Sequence, residues 1–215
     1  FNKSTLEKNN ATILKAFSLL DGNFKYSKKE NIKFIRDNMA LPFTHHSRLG
    51  FVYFAQLNNL LRKDVITEAQ KNSLLLSVKS ISTKMKSDAY QVKLGKKSLS
   101  SFLDIYGHIR AGNYNLSSSN LKNNLEFTEL LVHNSEPQDE NISLQKVIFS
   151  NIDKYFELNN IPYTASAWVE MFQTAIATRE NSKFYYTKGI DGILNEIDKQ
   201  NISDEELFQL SLIHI

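Results

Sequence analysis

The stretch Thr67-Glu68-Ala69-Gln70-Lys71-Asn72-Ser73-Leu74-Leu75-Leu76 decides the fold class. Thr67 and Gln70 have the spacing of a capping box, in which a hydroxyl and an amide side chain satisfy free N–H groups at a helix start. Leu74, Leu75, Val78, Ile81 and Met85 then recur at helical spacing, which predicts one long helix from Thr67. The same signature stands at Ser4-Thr5-Leu6-Glu7, Ser27-Lys28-Lys29-Glu30 and Ser203-Asp204-Glu205-Glu206.

Outward from Thr67 the pattern stays helical. A long helix is expected over about Ser47 to Lys63, through Leu49, Val52, Tyr53, Leu57, Leu60 and Leu61. With a short link, it and the Thr67 helix would form an antiparallel hairpin. Towards the N-terminus, helices are expected over about Thr5 to Leu20 and after Ser27, and Pro42 is expected to break the segment that follows. Towards the C-terminus, Gly95 marks a break and a short helix from about Ser98 leads into a glycine-bracketed segment. Residues 115–141 are polar and read as a long irregular connection, which Leu125, Phe127, Leu130, Leu131 and Val132 could pin in part. Further helices are expected after Ser143 through Phe156, from about Thr164 through Trp168 and Arg179, and again beyond Gly189 and Gly192. Lys183 to Tyr186 reads as an extended piece or as more helix, and Trp168 as a core anchor. The expected fold is all-α: an irregular multi-helix bundle, with a long loop at about 106–141 and a possible subdivision near 95–141.

Composition narrows the function classes. The 215 residues include 41% apolar ones, enough for a core, and no apolar run approaches the roughly 20 residues that cross a bilayer. There is no cysteine, hence no disulfide framework and no thiolate-ligated zinc. A cytoplasmic setting fits, with no signal-like segment at the start. The net charge of +3 is small, and the densest basic spots are the pairs Lys28-Lys29 and Lys96-Lys97, so nucleic acid and membrane are not expected partners. The chain opens at Phe1 and closes on Leu212-Ile213-His214-Ile215, which points to a piece of a longer polypeptide; simple trimming is the alternative.

Three segments carry candidate chemistry. In Tyr106-Gly107-His108-Ile109-Arg110-Ala111-Gly112-Asn113-Tyr114-Asn115, two glycines bracket a histidine, an arginine and two tyrosines are nearby. Arginine offers a donor fork for carboxylate or phosphate, and histidine exchanges a proton near neutrality. An anion clamp is one reading; a helix-ending turn, with Arg110 on carbonyls and His108 packed, is the other. Thr44-His45-His46-Ser47-Arg48 falls at an expected helix start, where free N–H groups favour anions, so His46 and Arg48 are candidate contacts. Its alternative is a capped, solvated helix start. Arg179 and Lys183, four residues apart, could present two cations to one ligand or form a solvated face. His133 and His214 have no supporting neighbours. No metal site is expected, nor is a glycine-rich phosphate loop or a serine nucleophile elbow present.

Together these segments resemble a known family. Phe102-Leu103 with Tyr106 to Asn115 is similar to the motif F-L-x-x-Y-G-H-L-R-P-G-T-Y-D-I of phosphoenolpyruvate-synthase-like proteins, relatives of the pyruvate phosphate dikinases. Pro42 to Phe51 resembles their P-F-x-x-x-A-R-x-A-F, and Ala175 to Phe184 their A-I-x-x-R-E-x-x-K-F, in the family's order. Ala111, Asn113 and Asn115 depart from the motif's proline, threonine and aspartate, and an amide at 115 cannot serve as a general base.

The resemblance implies the helical middle region of a multidomain kinase. An ATP-grasp domain would use ATP and Mg²⁺ to phosphorylate a histidine on a swivelling domain, which passes the phosphoryl group to a small acceptor bound here. Among the family's members is a kinase acting on the amide of L-glutamine in bacterial capsule phosphoramidate synthesis. On this expectation His108 and Arg110 are catalytic; His46, Arg48, Tyr106, Tyr114, Arg179 and Lys183 bind substrate; and the piece alone binds no cofactor and is inactive. All these cations would meet in one small pocket. The alternative is a non-catalytic helical docking domain between catalytic domains.

Overall fold

A 33-residue helix organises the molecule. The computed structural model describes residues 8, 11–16, 18, 28–110, 118–137 and 144–197, without the side chains of 28, 29 and 193–197. Eight α-helices lie in these residues: α1 (Lys28–Ile35), α2 (Leu41–Arg62), α3 (Glu68–Leu76), α4 (Ile81–Lys93), α5 (Leu99–Tyr106), α6 (Leu125–His133), α7 (Lys146–Leu158) and α8 (Ala165–Ile197). Residues 8, 11–16 and 18 are also helical. No strand occurs among the described residues, only an isolated bridge between Arg110 and Asn120. The fold is all-α. The capping signals at Ser4 and Ser203, the hydroxyl of Ser27, and Tyr114 lie outside the described residues.

Several helix starts form as their residues dictate. Thr67 and Gln70 close the expected capping box at α3. Ser98 caps α5 by accepting from Ser101 N–H, and Gly95, at φ 69°, takes the left-handed turn before it. Asp64 and Asn160, at φ 54° and 52°, do the same after α2 and α7, and both residue types tolerate that region.

Four expectations are corrected. Pro42 does not break the chain: a π-helical turn, Arg36–Ala40, joins α1 to α2 and Pro42 sits in the first turn of α2. Its ring would clash with the carbonyl four residues back in a regular helix. The wider π winding, with Leu41 N–H bonded to the Arg36 carbonyl, relieves that clash. The Thr67 helix is not continuous: α3 ends at Leu76 and Ser80 starts α4, accepting from Thr83 N–H while Thr83 Oγ1 accepts from Ser80 N–H. Residues 115–141 are not all irregular, because α6 occupies 125–133, with Asn124 accepting from Phe127 N–H. Finally, α8 runs through Gly189 without a stop. That glycine serves close approach, since a Cβ there would lie 3.1 Å from Met39 Sδ.

Three apolar clusters line α8. Tyr186 and Ile190 join Ile13, Ile35, Met39 and Phe43. Trp168, Val169 and Phe172 join Leu57, Leu60, Leu74, Ile148, Ile152 and Phe156. Phe184 joins Ala89, Phe102, Tyr106 and Leu121. Each fully buried Leu, Ile or Phe stabilises by about 1.5–3 kcal/mol, so α8 is where burial is concentrated. α2 packs on α3 through Leu57, Leu60 and Leu74, but its longer seam is with α8. Phe43 stacks on Tyr186, Gly50 lies against Arg179, and Gln56 accepts from Trp168 Nε1, so the two helices run antiparallel.

Candidate functional site

The α2–α8 seam holds two of the three candidate segments. Gly50 lets the helices close: a Cβ there would lie 2.7 Å from Arg179 Cδ. Arg179 therefore crosses α2 and its guanidinium rests 5.0 Å from the centre of the Phe51 ring. Its Nη1 donates to Glu180 Oε1 at 2.7 Å, while its Nε has no hydrogen-bond partner among the described residues. His46 shares the buried stripe of α2 with Phe43 and Gly50. It is fully buried, and neither ring nitrogen finds a partner among the described residues. Burial, with His45 adding to it, lowers its pKa to about 4, so the ring is neutral at pH 7. The buried Ser47 hydroxyl is likewise without a partner there. Lys183 is half-buried, and burial lowers its pKa; Glu180 opposes that shift and Arg179 adds to it.

Arg48 is not part of this seam. It is exposed, and two residues from either His46 or Gly50 is about 200° of helix rotation, which turns it outward. Nor is there a helix start at residues 44–48. Their N–H groups lie inside α2, whose first residue is Leu41, so the expected anion site at a helix N-terminus is absent.

Glu180 and Asn181 reach another element. Asn181 Oδ1 accepts from Ile81 N–H at 2.9 Å, and Glu180 Oε2 accepts from Ser82 Oγ at 2.9 Å. Both act on the first turn of α4, where free N–H groups and a partial positive charge favour a carboxylate. The Arg-Glu-Asn run thus spans from α2 to α4 through α8.

The glycine-bracketed segment forms a latch on the other side of α8. Tyr106 ends α5 buried, its hydroxyl donating to Asp88 Oδ2 at 2.8 Å. Burial, then Asp88, pushes the Tyr106 pKa up. Burial disfavours the Asp88 charge, yet bonds from Lys97, at 2.8 Å, and from Tyr106 hold its pKa below the usual value. Gly107 is required, because a Cβ there would fall 2.3 Å from the Leu103 carbonyl oxygen. The chain returns along itself, Leu121 N–H donating to Ile109 O and Lys122 N–H to Gly107 O. Arg110 Nη2 meets Asp191 Oδ1 at 2.7 Å, Asn120 Nδ2 donates to the same oxygen at 3.0 Å, and Arg110 Nη1 donates to the Ser118 carbonyl. His108 is 7% exposed and sits edge-on to Phe184 at 4.6 Å. Burial lowers its pKa to about 4; Asp191 and the backbone of Phe184 and Ile105 oppose this, and Lys188 reinforces it.

The expected single pocket does not form among the described residues. On α8, Arg179, Tyr186 and Ile190 face α2, whereas Glu180, Phe184 and Asp191 face α4, α5 and the latch, roughly 120° around the helix. Arg179 and Asp191, which holds Arg110, are also about 18 Å apart along the axis. Arg48, Arg110 and Arg179 thus point to three places. A shallow groove of about 350 Å³ is lined by Leu144, Phe149, Ser166, Val169, Glu170 and Gln173, and contains none of the candidates. No group of three His, Asp or Glu suited to a metal occurs among the described residues. No described helix is long and apolar enough to cross a membrane.

No family model, no curated protein and no solved structure matches this chain.

Residue reading missed Asp191, Asn120 and Asp88. Asp191 stands seven residues after Phe184, on the same helix face, which was the available signal.

Proposed function

We propose that the chain is the helical acceptor module of a multidomain phosphotransferase that works through a phosphohistidine on a separate domain. One observation carries this reading: of the three segments that resemble the phosphoenolpyruvate-synthase-like motifs, one lies in α8 itself and the other two, far apart in sequence, both abut α8 between residues 179 and 191. On this reading the acceptor lies at the edge of the α2–α8 seam, near Arg179, Lys183 and the neutral His46. Arg179 supplies its Nε donor and its fixed charge, since phosphoryl transfer depends on positioning and charge stabilisation. His108 and Arg110 shape the site from the far side of α8 by holding the latch. ATP and Mg²⁺ act in the ATP-grasp domain, and the amide of L-glutamine is the first acceptor to test. The module alone is inactive.

The second reading, a non-catalytic docking domain, is favoured by a different observation: Arg110 and Arg179 each already have a carboxylate partner within the chain. In the full-length enzyme, Arg179→Gln should abolish acceptor phosphorylation and leave histidine phosphorylation by ATP intact. Normal acceptor turnover by that variant refutes the acceptor site. Thermal unfolding of the 215-residue chain separates the two readings. Millimolar L-glutamine or inorganic phosphate raises the midpoint of an acceptor module and leaves that of a docking domain unmoved.

A further inference from the structure

We propose that copies of this chain dock head to tail, the outer face of α2 of one copy on the outer face of α6 of the next. The inference does not depend on phosphotransfer. The outer face of α2 exposes Leu41 (52%), Phe51 (61%) and Val52 (51%) around the exposed Arg48. None of the 22 residues of α2 is Asp or Glu, so Arg48 sets the charge of this face. Several large exposed apolar side chains on one face of a helix can form a contact surface.

The chain itself carries the complement. α6 exposes Leu125 (53%) and Leu130 (56%) beside the exposed Glu126 and Glu129, and it contains no Lys or Arg. Apolar and cationic on one face, apolar and anionic on the other, the two surfaces match in both character and charge. Such complementarity fixes partner and register.

Their placement dictates the geometry of assembly. α2 packs on one side of α8, and α4 and α5 pack roughly 120° around it. α6 lies beyond α4, turning Thr128, Leu131 and Val132 inward to the third cluster and the Leu121 carbonyl. The two outer faces therefore point away from each other. Two copies cannot satisfy both contacts about one two-fold axis, so the contact is heterologous and propagates.

Sedimentation velocity on the full chain at low ionic strength, over rising concentration, tests this. The expected result is a mass that climbs from 24.7 kDa to at least twice that value. Arg48→Glu abolishes the rise, and so does the pair Glu126→Lys with Glu129→Lys; mixing the two variants restores it, because each then offers the face the other needs. All three positions are exposed, and circular dichroism verifies helix content. A mass fixed at 24.7 kDa at every concentration overturns the proposal. So does self-association that survives Arg48→Glu. Binding of a monomeric chain to phosphatidylserine–phosphatidylcholine vesicles also overturns it, in favour of a lipid surface for α2.

Discussion

Acidification from pH 7 to pH 5 should weaken this fold through two buried imidazoles. His46 and His108 each have a pKa near 4 in the folded chain, against 6.5 when free, with burial the leading cause. Between those values the unfolded chain binds more protons than the native one, so stability rises with pH across this window and falls as pH drops. At pH 5 each histidine contributes a population ratio of about 30, or about 2 kcal/mol of lost stability, giving about 4 kcal/mol for both. That is a large share of the 5–15 kcal/mol typical of a domain. Asp88 does not blur the window: its depressed pKa makes its own contribution disappear only near and below 3.8. The assay is urea unfolding at pH 7 and at pH 5 of the wild type, His46→Leu, His108→Leu and the double variant. Each single variant should lose about half of the pH dependence and the double variant nearly all of it. At pH 7, His46→Leu should be no less stable than wild type, since it removes two unmatched buried nitrogens. Stability that is flat from pH 7 to pH 5, or an undiminished slope in the double variant, would refute the assignment of neutral buried rings.

Three further outcomes follow from the packing. Arg110→Ala removes an ion-pair partner of the buried Asp191 carboxylate, leaving the Asn120 bond, and should cost up to about 3 kcal/mol, whereas Arg110→Ala with Asp191→Ala should cost less than the single change; denaturation of both variants checks this. Gly50→Ala should bring none of the stability, about 1 kcal/mol, that alanine usually gains over glycine inside a helix, because its Cβ displaces Arg179 from Phe51; a gain in melting temperature refutes the close approach. Asn181→Ala removes a partner of the α4 N-terminus and should cost about 1 kcal/mol, with faster amide exchange at Ile81.

Helical class was legible because apolar spacing and hydroxyl caps are local signals, as at Thr67 and Ser98. The breaks were harder where two local rules competed. Pro42 reads as a stop, but a π turn absorbs its missing donor. Gly189 reads as punctuation, but its job is the contact with Met39. Ser80 starts α4 with threonine in place of the usual acidic or amide partner, so it gave no warning. Of the candidate site, sequence singled out residues that are unusually buried or bonded, among them His46, His108 and Arg110. It could not show which side of α8 each would take. That depends on pairings such as Arg110 with Asp191, 81 residues apart, which no local pattern encodes.

The central position of α8 constrains when the protein can fold during synthesis. All three clusters draw residues from it, and it is the last described helix to be made. Until the ribosome has released Trp168 to Ile190, the earlier helices lack the one surface that all three clusters share. The nascent chain therefore carries exposed apolar stripes until α8 emerges, and completing the three clusters waits on distant pairings. Chaperone dependence during translation, relieved once α8 emerges, is the expected cellular signature of that architecture.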